Sequence, residues 1–154
     1  MSVKPIPDGY HSLTPYLYIR GASRALDFYR SAFGARETLR IEGPDQSIGH
    51  AEVKIGDSVL MLADEFPDRN VVGPQTLKGT SGSILLYVPN VDEVVERAVA
   101  NGALLERPLT NQFYGDRNAT VVDPFGHKWT IATHVEDVSE EEMRRRMKSM
   151  ATSS

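Results

Sequence analysis

The sequence repeats its own pattern at an offset of nearly half its length, and this repeat limits the fold more than any other feature. Residues 18–35 and residues 87–103 each have the pattern of a strand, a turn, a helix and a terminating glycine. An Ala-x-Val strand, a glycine turn and a further apolar strand follow each copy, beginning at Ala51 and at Ala119. The pattern predicts two βαβββ halves. Duplicated halves usually enclose something between them, so function is expected on the concave surface that the two sheets share.

The two predicted helices are the clearest elements of the repeat. Apolar residues recur at helical spacing after Ser23 and after Asn90, and each of these two residues is a candidate N-cap. Gly34 and Gly102 are expected to end the helices. Runs of β-branched and aromatic residues predict the strands. The predicted strands are residues 13–20, 37–42, 49–55 and 58–62 in the first half and residues 83–88, 104–107, 119–122 and 128–133 in the second half.

These elements predict a single α+β domain over residues 1–154, in which two βαβββ repeats form a cupped mixed sheet and a C-terminal helix follows. The halves span about residues 11–64 and 82–134. Residues 65–81 join them as a long loop rich in Asp, Pro, Gly and Asn, and loops of this length often carry function. The tail helix is expected at residues 139–150.

The predicted tail helix begins at a capping box that Ser139 and Glu142 form. The basic residues 144–146 follow the acidic residues 140–142, which indicates ion pairs on a solvated helix rather than a phosphate-binding site. Three methionines lie on one side of the helix and indicate core packing or a dimer contact: Met143, Met147 and Met150.

Composition and charge exclude several classes of function. With 40% hydrophobic and 25% charged residues, the chain is expected to be a soluble globular domain that buries roughly two-thirds of its unfolded surface. The net charge of −4 argues against a nucleic-acid partner, which requires a clustered cationic face. The lack of cysteine excludes disulfides and thiolate chemistry. No stretch has the length of a signal-peptide core or a membrane span, so we expect a cytoplasmic protein with no membrane partner.

Several motifs resemble one superfamily. The paired halves, the ALDFYRSAFGA sequence at residues 25–35 and the DPFGHKW sequence at residues 123–129 resemble the vicinal oxygen chelate superfamily of glyoxalases, bleomycin-resistance proteins and dioxygenases. Within it, residues 49–52 (GHAE), 114–117 (YGDR) and 131–134 (IATH) resemble the PhnB-like branch. The resemblance implies the fold and a homodimer, but it leaves the reaction open because this scaffold hosts several chemistries and non-catalytic binders.

The resemblance also implies where a metal ion would be held. Metal-dependent members place a His near the start of the first strand of each half, and a carboxylate or Gln in the fourth strand of each half. The corresponding residues here are Thr14, Leu60, Ser83 and Thr130. None of these is a usual ligand for a divalent metal. We therefore expect no cofactor, and a divalent metal only at a non-standard site.

His50 and Glu52 are the candidate catalytic residues. They lie two apart on a predicted strand and so share one face, where they could exchange protons or hold a displaced metal ion. The alternative is that the pair points to solvent at the start of the strand or forms a hydrogen-bonded pair at the rim of the sheet.

The candidate ligand-binding residues are mostly aromatic. Tyr114 and Arg117 could anchor a polar small molecule while Asp116 holds Arg117. The alternative is an ion pair between Asp116 and Arg117 that stabilises a bulged strand around Gly115. Trp129 lines either the cavity or the core, and its place on a strand that normally carries a ligand favours the cavity. The residues expected to supply stacking surface are Tyr16, Tyr18, Tyr114 and Trp129.

Two functions of different classes follow. The first is a binder that sequesters a small, flat, hydrophobic molecule between the two βαβββ halves, as the resemblance to bleomycin-resistance proteins implies and the missing metal ligands favour. The second is a lyase, isomerase or dioxygenase that acts on vicinal oxygens with a metal ion held by residues such as His50 and Glu52. Bound metal distinguishes the two.

Overall fold

The first half of the chain forms a four-stranded mixed sheet. The computed structural model describes residues 2–153, so Met1 and Ser154, which the predicted domain includes, lie outside the described residues. The spatial order of the strands is β1-β4-β3-β2, with β1 parallel to β4 and the other pairs antiparallel. The strands are β1 (Tyr16–Ile19), β2 (Arg36–Glu42), β3 (Ile48–Ile55) and β4 (Ser58–Asp64).

The second half repeats this topology. Its strand order is β5-β8-β7-β6, again with one parallel pair, β5 and β8, and two antiparallel pairs. A helix crosses over between the first two strands of each half, as a parallel pairing requires. The predicted α+β fold of two βαβββ repeats is confirmed. The strands are β5 (Ser83–Tyr87), β6 (Leu104–Asn111), β7 (Asp116–Val122) and β8 (Lys128–His134).

The chain divides into two units. The first unit contains the residues up to Ser81 together with Pro124–His127, and the second contains Gly82–Asp123 and the residues from Lys128 onward. The turn between β7 and β8 thus belongs to the first unit, where the ring of Phe125 lies 6.5 Å from that of Phe28, measured between centroids.

Helix α1 (Ala22–Phe33) packs across all four strands of the first sheet. Its apolar residues recur every three or four positions and are buried, which explains why this segment forms a helix on a sheet. The predicted N-cap, Ser23, is wrong. The Oδ1 of Asp64, at the end of β4, accepts hydrogen bonds from the backbone N–H groups of Gly21 (3.1 Å) and Ala22 (2.9 Å) instead. The C-terminus ends at Gly34 with a φ of 68°, as predicted.

Alternation along the strands gives the first sheet two different faces. Leu17 and Ile19 of β1 are buried toward α1, whereas Tyr16 and Tyr18 lie on the opposite face. The observed β1 is shorter than the predicted strand, because pairing with β4 begins only at Tyr16. The face opposite α1 therefore carries Tyr16 and Tyr18, two of the side chains that the sequence analysis proposed for ligand binding.

Helix α3 (Val91–Ala100) covers one face of the second sheet. The side chain of Asn90 accepts a hydrogen bond from the backbone N–H of Glu93 at 3.3 Å, so the predicted N-cap is confirmed. The apolar face of the helix is buried against β6, β7 and β8.

The segment between β4 and β5 is more regular than predicted. It contains a 3-10 turn at Pro67–Arg69 and a short helix α2 at Pro74–Leu77. The carboxylate of Glu65 accepts hydrogen bonds from the backbone N–H of Gly73 (2.9 Å), from Thr76 and from Arg20. These donors lower the pKa of Glu65 to about 2, so one half-buried carboxylate ties the start of the segment to Gly73 and Thr76.

Helix α4 (Glu140–Ala151) forms the tail. The Ser139 side chain accepts from the backbone N–H of Glu142 at 3.2 Å, as predicted. The backbone carbonyl of Gly115 accepts from Val135 and Glu136, and a Cβ at Gly115 (φ 101°) would lie 2.0 Å from the carbonyl oxygen of Glu136. This position therefore requires glycine. A cavity of about 360 Å³ is lined by Phe113, Met143, Arg144, Met147 and Lys148.

None of the helices within residues 2–153 has both the length and the apolarity needed to cross a lipid bilayer.

Substitution Glu65→Gln should destabilise the protein by about 2 kcal/mol at neutral pH, because it weakens several charge-assisted hydrogen bonds of a half-buried group. The folded-state pKa of about 2 lies below the ordinary value of 4.5, so this stability is present above pH 4.5 and is lost as the pH falls toward 2. Urea unfolding of both proteins at several pH values measures the difference, which should shrink with acidity.

The matched control is Glu106→Gln, which removes a half-exposed ion pair with Lys128 and should change stability by no more than about 0.5 kcal/mol. Equal stability of Glu65→Gln and the native protein at neutral pH would contradict the role of Glu65.

Candidate functional site

The face of the first sheet opposite α1 carries an aromatic and polar cluster. Tyr16 and Tyr18 lie on β1, and their ring centroids are 5.4 Å apart. The ring of His50, on β3, lies 5.5 Å from that of Tyr16. Tyr16 pairs with Met61 of β4, and Met61 pairs with Glu52 of β3, so these side chains share one face by register.

A continuous chain of hydrogen bonds runs through this cluster. The hydroxyl of Tyr16 lies 2.8 Å from Nδ1 of His50. Nε2 of His50 lies 2.9 Å from Oε1 of Glu52. The other carboxylate oxygen, Oε2, accepts from the hydroxyl of Tyr10, which belongs to the segment before β1. All four polar groups are thus joined in the order Tyr10, Glu52, His50, Tyr16.

The protons of this chain can be assigned from its charges. Burial alone would raise the pKa of Glu52, but hydrogen bonds from His50 and Tyr10 outweigh burial and lower the pKa. Glu52 is therefore ionised and accepts from both neighbours, which places the proton of His50 on Nε2. Nδ1 then accepts from the hydroxyl of Tyr16, and each hydrogen bond of the chain has one donor and one acceptor.

Both phenols of the chain keep their protons at neutral pH. The pKa of Tyr16 is raised by burial first, and then by Tyr18 and Glu52. The pKa of Tyr10 is raised mainly by its hydrogen bond to Glu52, because the bond would be lost on ionisation.

The cluster combines a buried charge with exposed apolar surface. Glu52 is only 6% exposed, whereas Tyr16 and Tyr18 are each 41% exposed. On β2, Leu39 pairs with Glu52 and Ile41 pairs with His50, and both of these aliphatic side chains are exposed. Such a surface offers a flat apolar molecule area to cover and a few oriented polar groups.

The second unit contains a different network. Asp116, which is buried, accepts from the hydroxyl of Tyr87 and from Nδ1 of His134, both at 2.8 Å. Nε2 of His134 lies 2.8 Å from a carboxylate oxygen of Asp137. Because both ring nitrogens face carboxylates, the network is complete with an imidazolium, and Asp116 followed by Asp137 raises the pKa of His134. His134 is therefore a bridge that joins the end of β8 to the segment before α4.

The expected pairing of Asp116 with Arg117 is wrong. Neighbouring residues on a strand point to opposite faces, so Asp116 faces His134 while Arg117 faces α3. There the guanidinium of Arg117 donates two hydrogen bonds to Asp92, at 2.8 and 2.9 Å, and a third to Asn111 at 3.1 Å. Both interpretations assumed that Asp116 pairs with Arg117, and only this pairing is contradicted.

The hydroxyl of Tyr114 belongs to a side-chain network at the turn before β7. Its hydroxyl accepts from the side-chain amide of Asn118 at 2.7 Å, and Asn118 in turn accepts from Gln112 at 3.0 Å. Asn118 is buried, so the turn before β7 is held by a side-chain network of its own.

Trp129 lies in the core rather than at a ligand-facing surface. It is 1% exposed, it pairs with the buried Val121, and its Nε1 donates to Oδ2 of Asp123 at 3.0 Å. The period of two along β8 explains this placement, because Trp129 and Ile131 share the buried face of the strand.

The structure thus brings four of the predicted site residues together: Tyr16, Tyr18, His50 and Glu52. The others lie in the second unit: Tyr114, Asp116, Arg117 and Trp129. Sequence reasoning missed Tyr10, whose segment has no periodicity to mark it, and the partners of Asp116. Alternation along β5 was the available signal for Tyr87.

The donor set does not fit the metal site that the resemblance implies. Leu60 is buried toward α1, Thr14 precedes β1, Ser83 is the first residue of β5, and Thr130 hydrogen-bonds to Thr120. Within residues 2–153, no three His, Asp or Glu side chains converge as metal ligands. His50 and Glu52 use both nitrogens and both oxygens on each other and on tyrosines.

Comparison with known proteins gives the family. The model of the glyoxalase/bleomycin resistance protein/dioxygenase superfamily matches residues 11–131. The chain belongs to this superfamily. An uncharacterized protein of Mycobacterium bovis is 38% identical over 141 residues, which are 90% of this chain and 93% of that protein.

Solved structures agree with this membership. TioX from Micromonospora is 27% identical, with a TM-score of 0.63 over 81% of this chain and 99% of TioX. A PhnB protein from Bacillus cereus is 17% identical, with a TM-score of 0.64 over 80% of this chain and 99% of that chain, and at this identity it shows the fold alone. The resemblance found in the sequence motifs is thus confirmed at the level of superfamily and fold.

The His134 bridge predicts a pH-dependent part of the stability. Because the folded-state pKa lies above the ordinary value of 6.5, the bridge stabilises fully below pH 6.5, and this stability is lost as the pH rises through the raised pKa. The melting temperature of the native protein should therefore fall as the pH rises above 6.5, and the melting temperature of His134→Gln should not show this fall. Thermal unfolding followed by circular dichroism on both sides of this pH measures the decline.

His11→Gln is the matched control, since His11 is exposed in the segment before β1 and should leave the decline unchanged. A decline of the same size in His134→Gln would show that another group causes it.

Proposed function

We propose that this chain binds a small organic molecule on the face of the first sheet opposite α1, without a metal ion. The observation that carries the proposal is the buried, ionised Glu52, which is held in a chain of hydrogen bonds among exposed aromatic and aliphatic side chains. Membership of the superfamily is compatible with this role, because its description includes a resistance protein as well as enzymes.

The proposed binding uses two kinds of contact. Tyr16 and Tyr18 supply exposed rings, and each ring that stacks on a flat ligand is worth about 0.5–1.5 kcal/mol beyond the apolar area it buries. The hydroxyl of Tyr16 donates a hydrogen bond to His50, so its oxygen keeps lone pairs that can accept a hydrogen bond from a ligand. Leu39 and Ile41 extend the apolar surface along β2.

The same chain of hydrogen bonds favours a second candidate, an acid–base enzyme. His50 lies between a phenol and an ionised carboxylate, so it can take a proton at Nδ1 while Nε2 stays hydrogen-bonded to Glu52. In that case His50 is the proton acceptor and Glu52 stabilises the imidazolium that forms.

The remaining expectations stay predictions. Contacts of Tyr114 and Asp116 with a ligand, a homodimeric state and a cytoplasmic location follow from the sequence and from the resemblance alone. The proposal for the first sheet does not depend on them.

Aromatic fragments should bind to the native protein and lose affinity in Tyr18→Ala. A library of flat aromatic compounds, observed by saturation-transfer NMR, identifies the ligands, and titration then compares the variants. Loss of one stacking ring should weaken binding about tenfold, which corresponds to roughly 1.4 kcal/mol. Tyr16→Ala should act in the same direction.

Leu104→Ala is the matched control, because Leu104 is an exposed apolar residue of β6 in the other unit. Fragments that bind equally well to Tyr18→Ala and to the native protein would count against this face as the site.

The proposal also predicts that binding needs no divalent metal. Addition of Zn²⁺, Mn²⁺ or Ni²⁺ should leave the melting temperature and the fragment affinities unchanged, and so should EDTA. The reason is that His50 and Glu52 already form hydrogen bonds with each other and with two tyrosines. Elemental analysis of protein purified without chelator checks this. Stoichiometric metal that disappears in His50→Ala would support the displaced metal site instead.

A further inference from the structure

Tyr10 reaches the proposed site from outside the sheet. It lies in the arm, defined here as residues 2–15, which contains no helix or strand. Its hydroxyl donates to Oε2 of Glu52, a carboxylate at the centre of the sheet and 42 positions further along the chain. An exposed segment thus inserts one phenol into a cluster that is otherwise built on strands.

The arm has few other contacts that hold it. Lys4 pairs with Asp8 within the arm, and the backbone N–H of Tyr10 donates to the carbonyl of Pro7. Among the hydrogen bonds of residues 2–15 that the structure describes, two reach another element: that of the Tyr10 hydroxyl, and that of the Pro15 carbonyl next to β1, which accepts from the backbone N–H of Met61. Leu13, at the end of the arm, is 90% exposed. The arm is therefore weakly held, and another molecule can displace the Tyr10 phenol from Glu52.

Glu52 needs a donor at Oε2 whenever Tyr10 leaves. The carboxylate is 6% exposed and ionised, and an unpartnered buried charge costs far more free energy than a satisfied one. His50 already donates a hydrogen bond to Oε1, so only Oε2 loses its donor when Tyr10 leaves. A hydroxyl on a flat ring meets this requirement, since Tyr10 itself satisfies it, and its ring can be covered by apolar neighbours such as Leu39.

We propose that Tyr10 occupies the place of the ligand, and that the site takes a small hydroxyaromatic compound whose hydroxyl donates to Glu52. This inference rests on the proposed function and names its ligand class. The arm then acts as an internal competitor, because the ligand must displace Tyr10 before it can donate to Oε2. Removal of the Tyr10 side chain opens the Oε2 acceptor to solvent, so a free phenol then competes with water instead of with Tyr10.

The probe is p-cresol, which reproduces the side chain of tyrosine, and toluene is its matched control without the hydroxyl. Tyr10→Ala should bind p-cresol at least tenfold more tightly than the native protein does, and at least tenfold more tightly than it binds toluene. Adding Glu52→Gln to Tyr10→Ala should abolish the preference for p-cresol over toluene. NMR titration and the shift in melting temperature measure both affinities.

Two further variants keep the experiment decisive. Leu13→Ala alters the arm without touching Glu52 and should bind p-cresol as the native protein does. Tyr10→Phe removes only the hydroxyl, so it replaces Tyr10→Ala if the larger truncation does not fold, and it should also bind p-cresol more tightly than the native protein.

Equal affinities for p-cresol and toluene, or equal affinities of the Tyr10 variants and the native protein for p-cresol, would overturn the inference. If the fragments of the library still bind in a Tyr18-dependent manner, the hydroxyaromatic assignment fails and the proposed function stands. If those fragments do not bind either, the proposed function fails with it.

Discussion

The burial of one ionised carboxylate, Glu52, determines the arrangement of the candidate site. A buried carboxylate must be given donors, and the central strand β3 offers none from its own backbone at this face. His50, two positions earlier on the same strand, supplies one donor, and the arm supplies the other through Tyr10. Because His50 donates a hydrogen bond to Glu52 from Nε2, the proton of its imidazole is on Nε2. Nδ1 is then an acceptor, and the hydroxyl of Tyr16 donates to it. The polar order of the face follows from a single buried charge.

Duplication has preserved the topology of the two halves but not their chemistry. Both halves place a buried carboxylate between a tyrosine and a histidine, yet Glu52 lies in the middle of β3 whereas Asp116 begins β7. The difference decides what each histidine does. His50 faces one carboxylate and one phenol and suits proton transfer, whereas His134 faces two carboxylates and serves as a bridge to the tail. The two carboxylate–histidine pairs therefore occupy different positions in the repeated fold and make different contacts.

The sequence predicts the elements far better than the contacts between them. Helix spacing, the Asn90 and Ser139 caps and the alternation of strands are local properties, and the structure confirms them. The cap of α1 fails because its acceptor, Asp64, lies more than forty positions away and no local pattern marks it. The pairing of Asp116 with Arg117 fails for the opposite reason, since chain neighbours on a strand cannot face each other. Tyr10 is a non-local contact from an aperiodic segment, and only the folded chain reveals it.

The hydrogen bonds that already link Tyr10, Glu52, His50 and Tyr16 also bear on the choice between a binding protein and an enzyme. Both nitrogens of His50 and both oxygens of Glu52 already have a partner, so His50 cannot act on a ligand until one of its hydrogen bonds opens, and a ligand at Glu52 meets a carboxylate that already has donors. The two ends are the phenols, and of these Tyr16 is fixed on a strand while Tyr10 is carried by the arm. Opening is therefore easier at the Glu52 end. With Tyr10, or a ligand hydroxyl in its place, as a donor, Glu52 is a weaker base than an ordinary glutamate, because hydrogen bonds lower the pKa of this carboxyl. Such a group binds and orients a hydroxyl more readily than it removes its proton, and this asymmetry favours binding over catalysis at that end of the chain.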